Sequence, residues 1–567
     1  MFDPAWLSPA QTEAIFSAES RHVPVPLRRI EPATLLWLNR AALRSAGQHH
    51  LAAGDWAELN RRWCAQCAWS VDPSEEHPPG TTPVVRTLGV ADRYGGAGLA
   101  RNGGSGRAAM TQGWLIKGVG RTPLVSVASD PIHATGRSTL SDLLRETIFG
   151  DITAAEFPWG AVPTIALLDT GLSRDFQLDD AGRSSGLALL VRPAVLRAGH
   201  FERSIGFLSA DPKDGAVDAE RVRATFDAVR RIWGREAFAA AMEELAPRWA
   251  EQLAYGFVHR LAHGGITSSN LALDGRLHDF GAMVALPSWA SASIVFGTPP
   301  VGAEMHVVAM AMQTLAYHVV EDRLLGADGP QFLARTLELA RRRHRTRLTL
   351  EVLRLAGLTR NQAKALLASD AAEDCVWEVQ RVISWWQRES MVLFTHTPKP
   401  HFPWDFPALW TPRPPAHLQG LRRLLVRALG IDEASSSGAA RLAQLDRRCA
   451  FRSRSRPELY RQAFREAMAR WVEAHGKPSP DEVTALIDGY VLRNRRDSVH
   501  DPDDAVPVGF ASAGGERFAL FEPIAGGEVF ALREVSAPGE VGGERLRLAD
   551  LHAFGTPRVQ FAEGLAG

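Results

Sequence analysis

Residues His263–Gly281 read HGGITSSNLALDGRLHDFG. His263 and Asn270 stand seven residues apart, and Asp279 follows Asn270 by nine, opening Asp279-Phe280-Gly281. Between them lies a short apolar run with an Asp274-Gly275 pair, a tight-turn signal. The stretch therefore reads as a small hairpin with an amide oxygen at one end and a carboxylate at the other. Such an oxygen pair suits Mg²⁺, with Mn²⁺ as a substitute. Mg²⁺ is hard, takes few protein ligands and keeps water and phosphate oxygens for its other positions. The alternative is a buried hairpin in which Asn270 and Asp279 only cap turns. Asp-Phe-Gly alone arises by chance in long chains, so the neighbouring sequence has to decide.

Upstream, residues 94–107 are YGGAGLARNGGSGR, with six glycines in fourteen residues. That composition excludes a helix and fits either a flexible surface loop or a backbone that approaches a phosphate closely. AAMTQGWLIKGVG then reads as a hairpin turning near Gln112-Gly113, whose second strand ends on Lys117. GRSTLSDLLRETIFGDI reads as a helix from about 138 to 151, with Leu140, Leu143, Leu144 and Ile148 at helical spacing. Thr139 and Asp142 form an N-terminal capping pair, and Glu146 lies inside the helix. AVPTIALLDTG and SGLALLVRPAVLRAG supply two strands. The second delivers Arg192 and Arg197 at or just beyond its end, where guanidinium groups can clamp phosphate oxygens.

Lys117 read alone is a solvated strand end, Glu146 an exposed helix face, and the arginines ordinary surface charge. The chain holds only five lysines (Lys117, Lys213, Lys364, Lys399 and Lys477), so one standing where chemistry needs it carries weight. Glycine loop, strand Lys, helix Glu and metal hairpin also occur in the order used by protein kinases. There a helix Glu holds the Lys that binds phosphate.

A chain of 567 residues can bury several cores, so two to four domains or lobes are expected. Hydrophobic residues at 45% and charged residues at 23% are those of an ordinary globular protein. A formal net charge of +0 gives no electrostatic case for nucleic acid or an acidic membrane surface. No apolar run approaches the ~20 residues of a membrane span. The start, MFDPAWLSPAQTEAIF, lacks the basic segment of a secretory signal. Four cysteines make no disulfide framework, and a cytoplasmic setting is expected. Cys64-Ala65-Gln66-Cys67 could be a redox pair or half a zinc site. With no second Cys/His pair at finger spacing, a plain helical face fits better.

The remaining segments are read more coarsely. RIEPATLLWLNRAALRSAG (29–47) has a mostly helical pattern. Residues 219–263 read as one helix running into the hairpin. Long helices follow over 304–325, 330–358, 360–396 and 456–475. DEASSSGAA (432–440) reads as a loop. Residues 506–567 are glycine-rich with short strands such as RFALFEP and EVFALREV.

These motifs together resemble the selenoprotein O, or YdiU, family of kinase-fold protein adenylyltransferases, over roughly 30–300. The matching stretches are Gly104-Ser105-Gly106-Arg107, Ile116-Lys117-Gly118-Val119-Gly120-Arg121-Thr122-Pro123, Thr135-Gly136-Arg137 and Arg145-Glu146. Further on, Arg197-Ala198-Gly199-His200-Phe201-Glu202, His263 to Asn270 and Asp279-Phe280-Gly281 match as well.

The resemblance implies an α+β, kinase-like two-lobed fold. A β-rich lobe carries one Glu-bearing helix, and a mostly helical lobe carries the metal hairpin. The divisions expected are a leading segment at 1–85, the two lobes at 86–210 and 211–345, a helical extension at 346–500 and a β-rich tail at 501–567. The implied activity is Mg-ATP-dependent transfer of AMP to a hydroxyl of a protein or peptide acceptor. Carried over by position, Gly104, Gly106, Arg107, Lys117 and Gly136 line the nucleotide. Glu146 orients Lys117, Arg192 and Arg197 clamp the triphosphate, and Asn270 and Asp279 hold the metal.

The sequence also departs from the family. The family's general base is the Asp directly before the metal Asn, and Ser269 stands there. The kinase base would fall on Gly265. A base is worth roughly 10²–10⁴-fold, so its loss leaves a slow transferase or an acceptor that needs no base. An ATP-binding pseudoenzyme acting as scaffold, a kinase and an ATP-dependent carboxylate-activating transferase remain alternatives. His263 and His278 are candidate substitutes for the base.

Overall fold

A computed structural model describes residues 22–71, 85–96, 102–127, 129, 134–174, 185–208, 214–295, 298–321, 329–392 and 404–494, together with the backbone of strands between 507 and 561. It is a mixed α+β protein with a β-sheet lobe and a helical portion.

The lobe is one antiparallel sheet built from β1 (His22–Arg29), β2 (Thr34–Leu38), β3 (Trp69–Val71), β4 (Arg86–Asp92), β5 (Ala108–Thr111), β6 (Trp114–Lys117), β7 (Ala166–Arg174) and β8 (Ser185–Pro193). Its order is β2-β7-β8-β6-β5-β4-β1-β3. The β5–β6 hairpin turns at Gln112 (φ 50°) and Gly113 (φ 82°). Two left-handed residues give a turn whose twist matches that of the strands. The register places Lys117 opposite Leu190 and Leu115 opposite Arg192. Because side chains alternate along a strand, Lys117 and Arg192 fall on the same face of the sheet.

That face packs against helix α2 (Leu140–Glu156) through Leu115, Leu190, Leu140, Leu143, Leu144 and Ile148. The other face, with Ile116, Leu189 and Val191, packs against helix α1 (Trp56–Cys67) through Leu59 and Trp63. Cys64 and Cys67 lie on α1 as plain helical positions, half-buried and buried.

Four local readings change. The helix expected over 360–396 is two, Arg360–Leu367 and Ala372–Gln387, with a strand at Ser390–Val392 after them. The helical pattern of 29–47 divides into strand β2 and a short helix, Arg40–Ser45, capped by Asn39. In β2, Leu35 and Leu38 enter one core and Leu36 and Trp37 the other. A strand covered on both faces shows a continuous apolar run that periodicity cannot separate from a helix. The helix expected over 219–263 is two, α3 (Asp214–Trp233) and α4 (Arg235–Val258), broken at Gly234 with φ 79°. Residues 432–440 are not all loop: Ser435 accepts a hydrogen bond from Gly438 N at 3.0 Å and caps the helix Ser436–Ser453.

The helical portion also returns to brace α2. Phe464, on a helix spanning Arg461–His475, meets Phe149 edge-on at 5.2 Å, and Arg456 holds the buried Glu156 at 2.9 Å. Strands at Glu516–Phe521 and Val529–Glu534 fall where RFALFEP and EVFALREV were read.

Candidate active site

Thr139 caps α2, its Oγ1 accepting from Asp142 N at 3.2 Å, and the helix carries Glu146 into the core. Glu146 is 2% exposed. One carboxylate oxygen receives Lys117 Nζ at 2.6 Å and the other receives Arg192 at 2.6 Å. Lys117 Nζ also reaches Asp279 Oδ1 at 2.9 Å, and Arg107 lies 3.7 Å from Asp279 Oδ2. Five residues from four separate segments thus meet, three cations around two carboxylates. One positive charge is left over, which suits an anionic ligand. Burial works against ionisation of Asp279, but Lys117, Arg107 and Arg192 hold its carboxyl well below the usual range. Its backbone is left-handed, φ 61°, a conformation that Asp tolerates better than most residues and that clusters at functional sites.

The hairpin forms as read. Strands β9 (Leu261–Ala262) and β10 (Val284–Ala285) pair and bracket it. Inside, Ala272 N donates to Arg276 O at 3.0 Å and Asp274 Oδ1 accepts from Arg276 N at 3.0 Å. Asn270 sits on a short 3-10 turn, Ser268–Asn270. Its Nδ2 donates to Gly265 O at 2.7 Å, which leaves Oδ1 for a ligand, and its own carbonyl accepts from His278 N at 3.0 Å. An amide oxygen and an ionised carboxylate fit a hard divalent cation. Among the described residues no group of three His, Cys, Asp or Glu side chains could hold a metal alone. A cation here would complete its shell with water or phosphate oxygens.

The other expected residues are placed differently. Arg197 is buried but belongs to the loop: it donates to Ser269 O at 3.2 Å and stacks over Tyr94 at 4.8 Å. Ser269 is buried and its hydroxyl shares a hydrogen bond with Thr267 at 2.7 Å. Gly104 and Gly136 are explained by packing. A Cβ at Gly104 would come within 2.1 Å of Asp92 O, and one at Gly136 within 2.1 Å of Gly120 O. Gly106 N donates to Gly104 O at 2.8 Å, and a Cβ at Gly106 would come within 2.7 Å of Asn102 Nδ2. Residues 97–101 of the glycine-rich loop lie outside the described residues.

Both histidines of the hairpin are buried. His263 Nε2 donates to His278 O at 2.9 Å. Burial lowers the His263 pKa, and burial with Arg197 and Arg192 lowers that of His278 further. Two contacts escaped the sequence reading: His200 with Asp92 at 2.7 Å, and Glu202 with Ser268 at 2.6 Å. Each partner is a common residue type more than 60 positions away, so no local pattern signals the pair.

No family model matches the chain. It is similar to a curated protein of Variovorax paradoxus named protein nucleotidyltransferase YdiU, 30% identical over 218 residues that cover 36% of this chain and 41% of that protein. The chain thus spans about two-fifths of that relative's length. No helix among the described residues is long and apolar enough to cross a membrane.

Proposed function

We propose that this chain is a Mg-ATP-dependent nucleotidyltransferase with a kinase-like, two-lobed arrangement, passing AMP to a hydroxyl of a protein or peptide. The observation that carries the reading is Lys117, held by Glu146 at 2.6 Å and touching Asp279 at 2.9 Å. A lysine fixed between a helix carboxylate and a metal-type carboxylate is arranged to bind phosphate oxygens beside a cation.

Lys117, Arg107 and Arg192 offer positive charge to the triphosphate, and Glu146 fixes the position of two of these groups. Asn270 and Asp279 would hold Mg²⁺ or Mn²⁺, which when bound neutralises phosphate charge and orients the chain of phosphates. The acceptor oxygen forms a bond to the α-phosphorus while the bond to the departing pyrophosphate breaks. Such transfers have loose transition states, so positioning and charge supply most of the rate.

The test is incubation with ATP and Mg²⁺, read by intact mass and by label from α- and γ-labelled ATP. AMP addition that Asp279→Ala and Lys117→Ala abolish supports the reading. Transfer of γ-label makes the protein a kinase. Thermal stabilisation by ATP with no transfer to any acceptor makes it a nucleotide-binding scaffold. AMP or ADP release only in the presence of an amine points to carboxylate activation.

A further inference from the structure

We propose that Glu202, seated on Ser268, is the proton acceptor that stands in for the carboxylate missing at positions 265 and 269. The inference rests on the transferase reading above. Ser268 Oγ donates to Glu202 Oε2 at 2.6 Å, and Ser268 belongs to the same 3-10 turn as Asn270. A 3-10 turn rises only ~2 Å per residue, so this carboxylate is anchored within one turn of the proposed metal ligand.

The segment that carries Glu202 is bound to the same loop by independent contacts. Arg197 donates to Ser269 O at 3.2 Å and Ala198 N to Leu271 O at 2.9 Å, while from the glycine-rich segment Gly95 N donates to Gly199 O at 2.7 Å. The start of the glycine-rich loop lies directly on the pair: a Cβ at Gly96 would stand 1.8 Å from Ser268 Oγ and 2.9 Å from Glu202 Oε2. Glu202 is therefore placed where glycine loop and metal loop meet.

Ser268 takes one carboxylate oxygen. Among the described residues Oε1 has no hydrogen-bond partner, and the residue is only partly buried. The groups facing Glu202 are Ser268 from the loop, Gly96 from the glycine-rich segment and Arg221 from α3. Arg221 is paired with Asp218 at 2.8 Å and spends a guanidinium nitrogen on the Glu202 carbonyl. Burial pushes the Glu202 carboxyl up to about 7, opposed by the Ser268 hydrogen bond and the charge of Arg221. An acceptor close to neutral takes a proton in the transition state more readily than an ordinary carboxylate. In the step, the acceptor hydroxyl oxygen bonds to the α-phosphorus, pyrophosphate leaves, and the hydroxyl proton passes to Glu202 Oε1.

The test compares wild type, Glu202→Gln and Ser268→Ala by transfer rate against pH and by ATP-induced thermal shift. Glu202→Gln is expected to keep the thermal shift and to lose on the order of 10²–10⁴-fold in transfer, together with the acidic limb of the profile near neutrality. Ser268→Ala removes a bond to the ionised form and moves that limb to higher pH. A wild type that transfers nothing overturns the parent reading and this role with it. A transferring wild type whose rate and acidic limb survive Glu202→Gln overturns the role of Glu202 alone. A melting-temperature arm reads the carboxylate without any turnover. An acid raised from 4.5 to about 7 in the folded protein makes wild type lose stability as pH rises through that window. Glu202→Gln should gain on wild type as pH rises from 4.5 to about 7, and a constant difference counts against the raised carboxyl.

Discussion

Glu146 and Lys117, 29 residues apart in the chain, meet at 2.6 Å in the core, and the second oxygen of Glu146 holds Arg192 at 2.6 Å. One buried carboxylate therefore compensates two buried cations. Replacing Glu146 by Gln removes the charge that compensates Lys117 and Arg192, and its one remaining acceptor oxygen can serve only one of them. Removing one partner of a buried ion pair costs about 3–5 kcal/mol. Glu146→Gln should lower unfolding free energy in urea by about that amount. Asp279→Asn should cost less, because Lys117 keeps Glu146 and the Asp279 side chain is 31% exposed.

The Asp279 carboxyl gives a second test, in acid. Its folded-state pKa lies well below 3.8, so the stability it contributes is present above 3.8 and is lost as pH falls below that value towards the folded-state pKa. Wild type and Asp279→Asn should therefore differ most in melting temperature at neutral pH. They should converge as pH drops below 3.8. A difference that stays constant down to pH 2 would show that Lys117 and Arg107 do not stabilise the ionised carboxylate.

Gly136 and Gly113 make a matched pair. Both have positive φ, 67° and 82°, but a Cβ at Gly136 meets Gly120 O at 2.1 Å while one at Gly113 meets nothing within 4 Å. Gly136→Ala should destabilise by more than the ~1–2 kcal/mol of the left-handed conformation alone. Gly113→Asn, in a two-residue hairpin turn that favours Asn, should be close to neutral. Thermal melts of the two variants side by side decide this.

The Cys64-x-x-Cys67 motif should be chemically quiet. Burial pushes the Cys64 thiol up to about 11, and Cys67, more deeply buried, is raised further. Thiolate is the reactive form, so neither residue should alkylate readily at pH 8 in the folded protein. Mass spectrometry after iodoacetamide treatment, native against denatured, should show labelling only after unfolding. Rapid native labelling at Cys64 would mean that α1 opens.

Local sequence by itself settled the pieces whose signals are local. The Asp274-Gly275 hairpin, the Gln112-Gly113 turn, the Thr139 cap and the helical spacing of α2 follow from backbone preferences and short-range hydrogen bonds. Neighbours a few residues away supply these. The β2 strand and the Ser435 cap were missed because an apolar run buried on two faces and a serine-rich run carry the same composition in two conformations.

The site itself was a matter of tertiary structure. Strand register placed Lys117 and Arg192 on one face of the sheet, and helix packing brought Glu146 beneath them. The turn after β8 laid Arg197 and Glu202 against the loop that holds Asn270. Glu202 shows why this could not be read from the chain. Its raised carboxyl comes from burial, which the hydrogen bond from a serine 66 residues away opposes, and burial is a property of the assembled core. Which common acid sits in that environment is decided only when the sheet, the glycine-rich segment and the loop close around it.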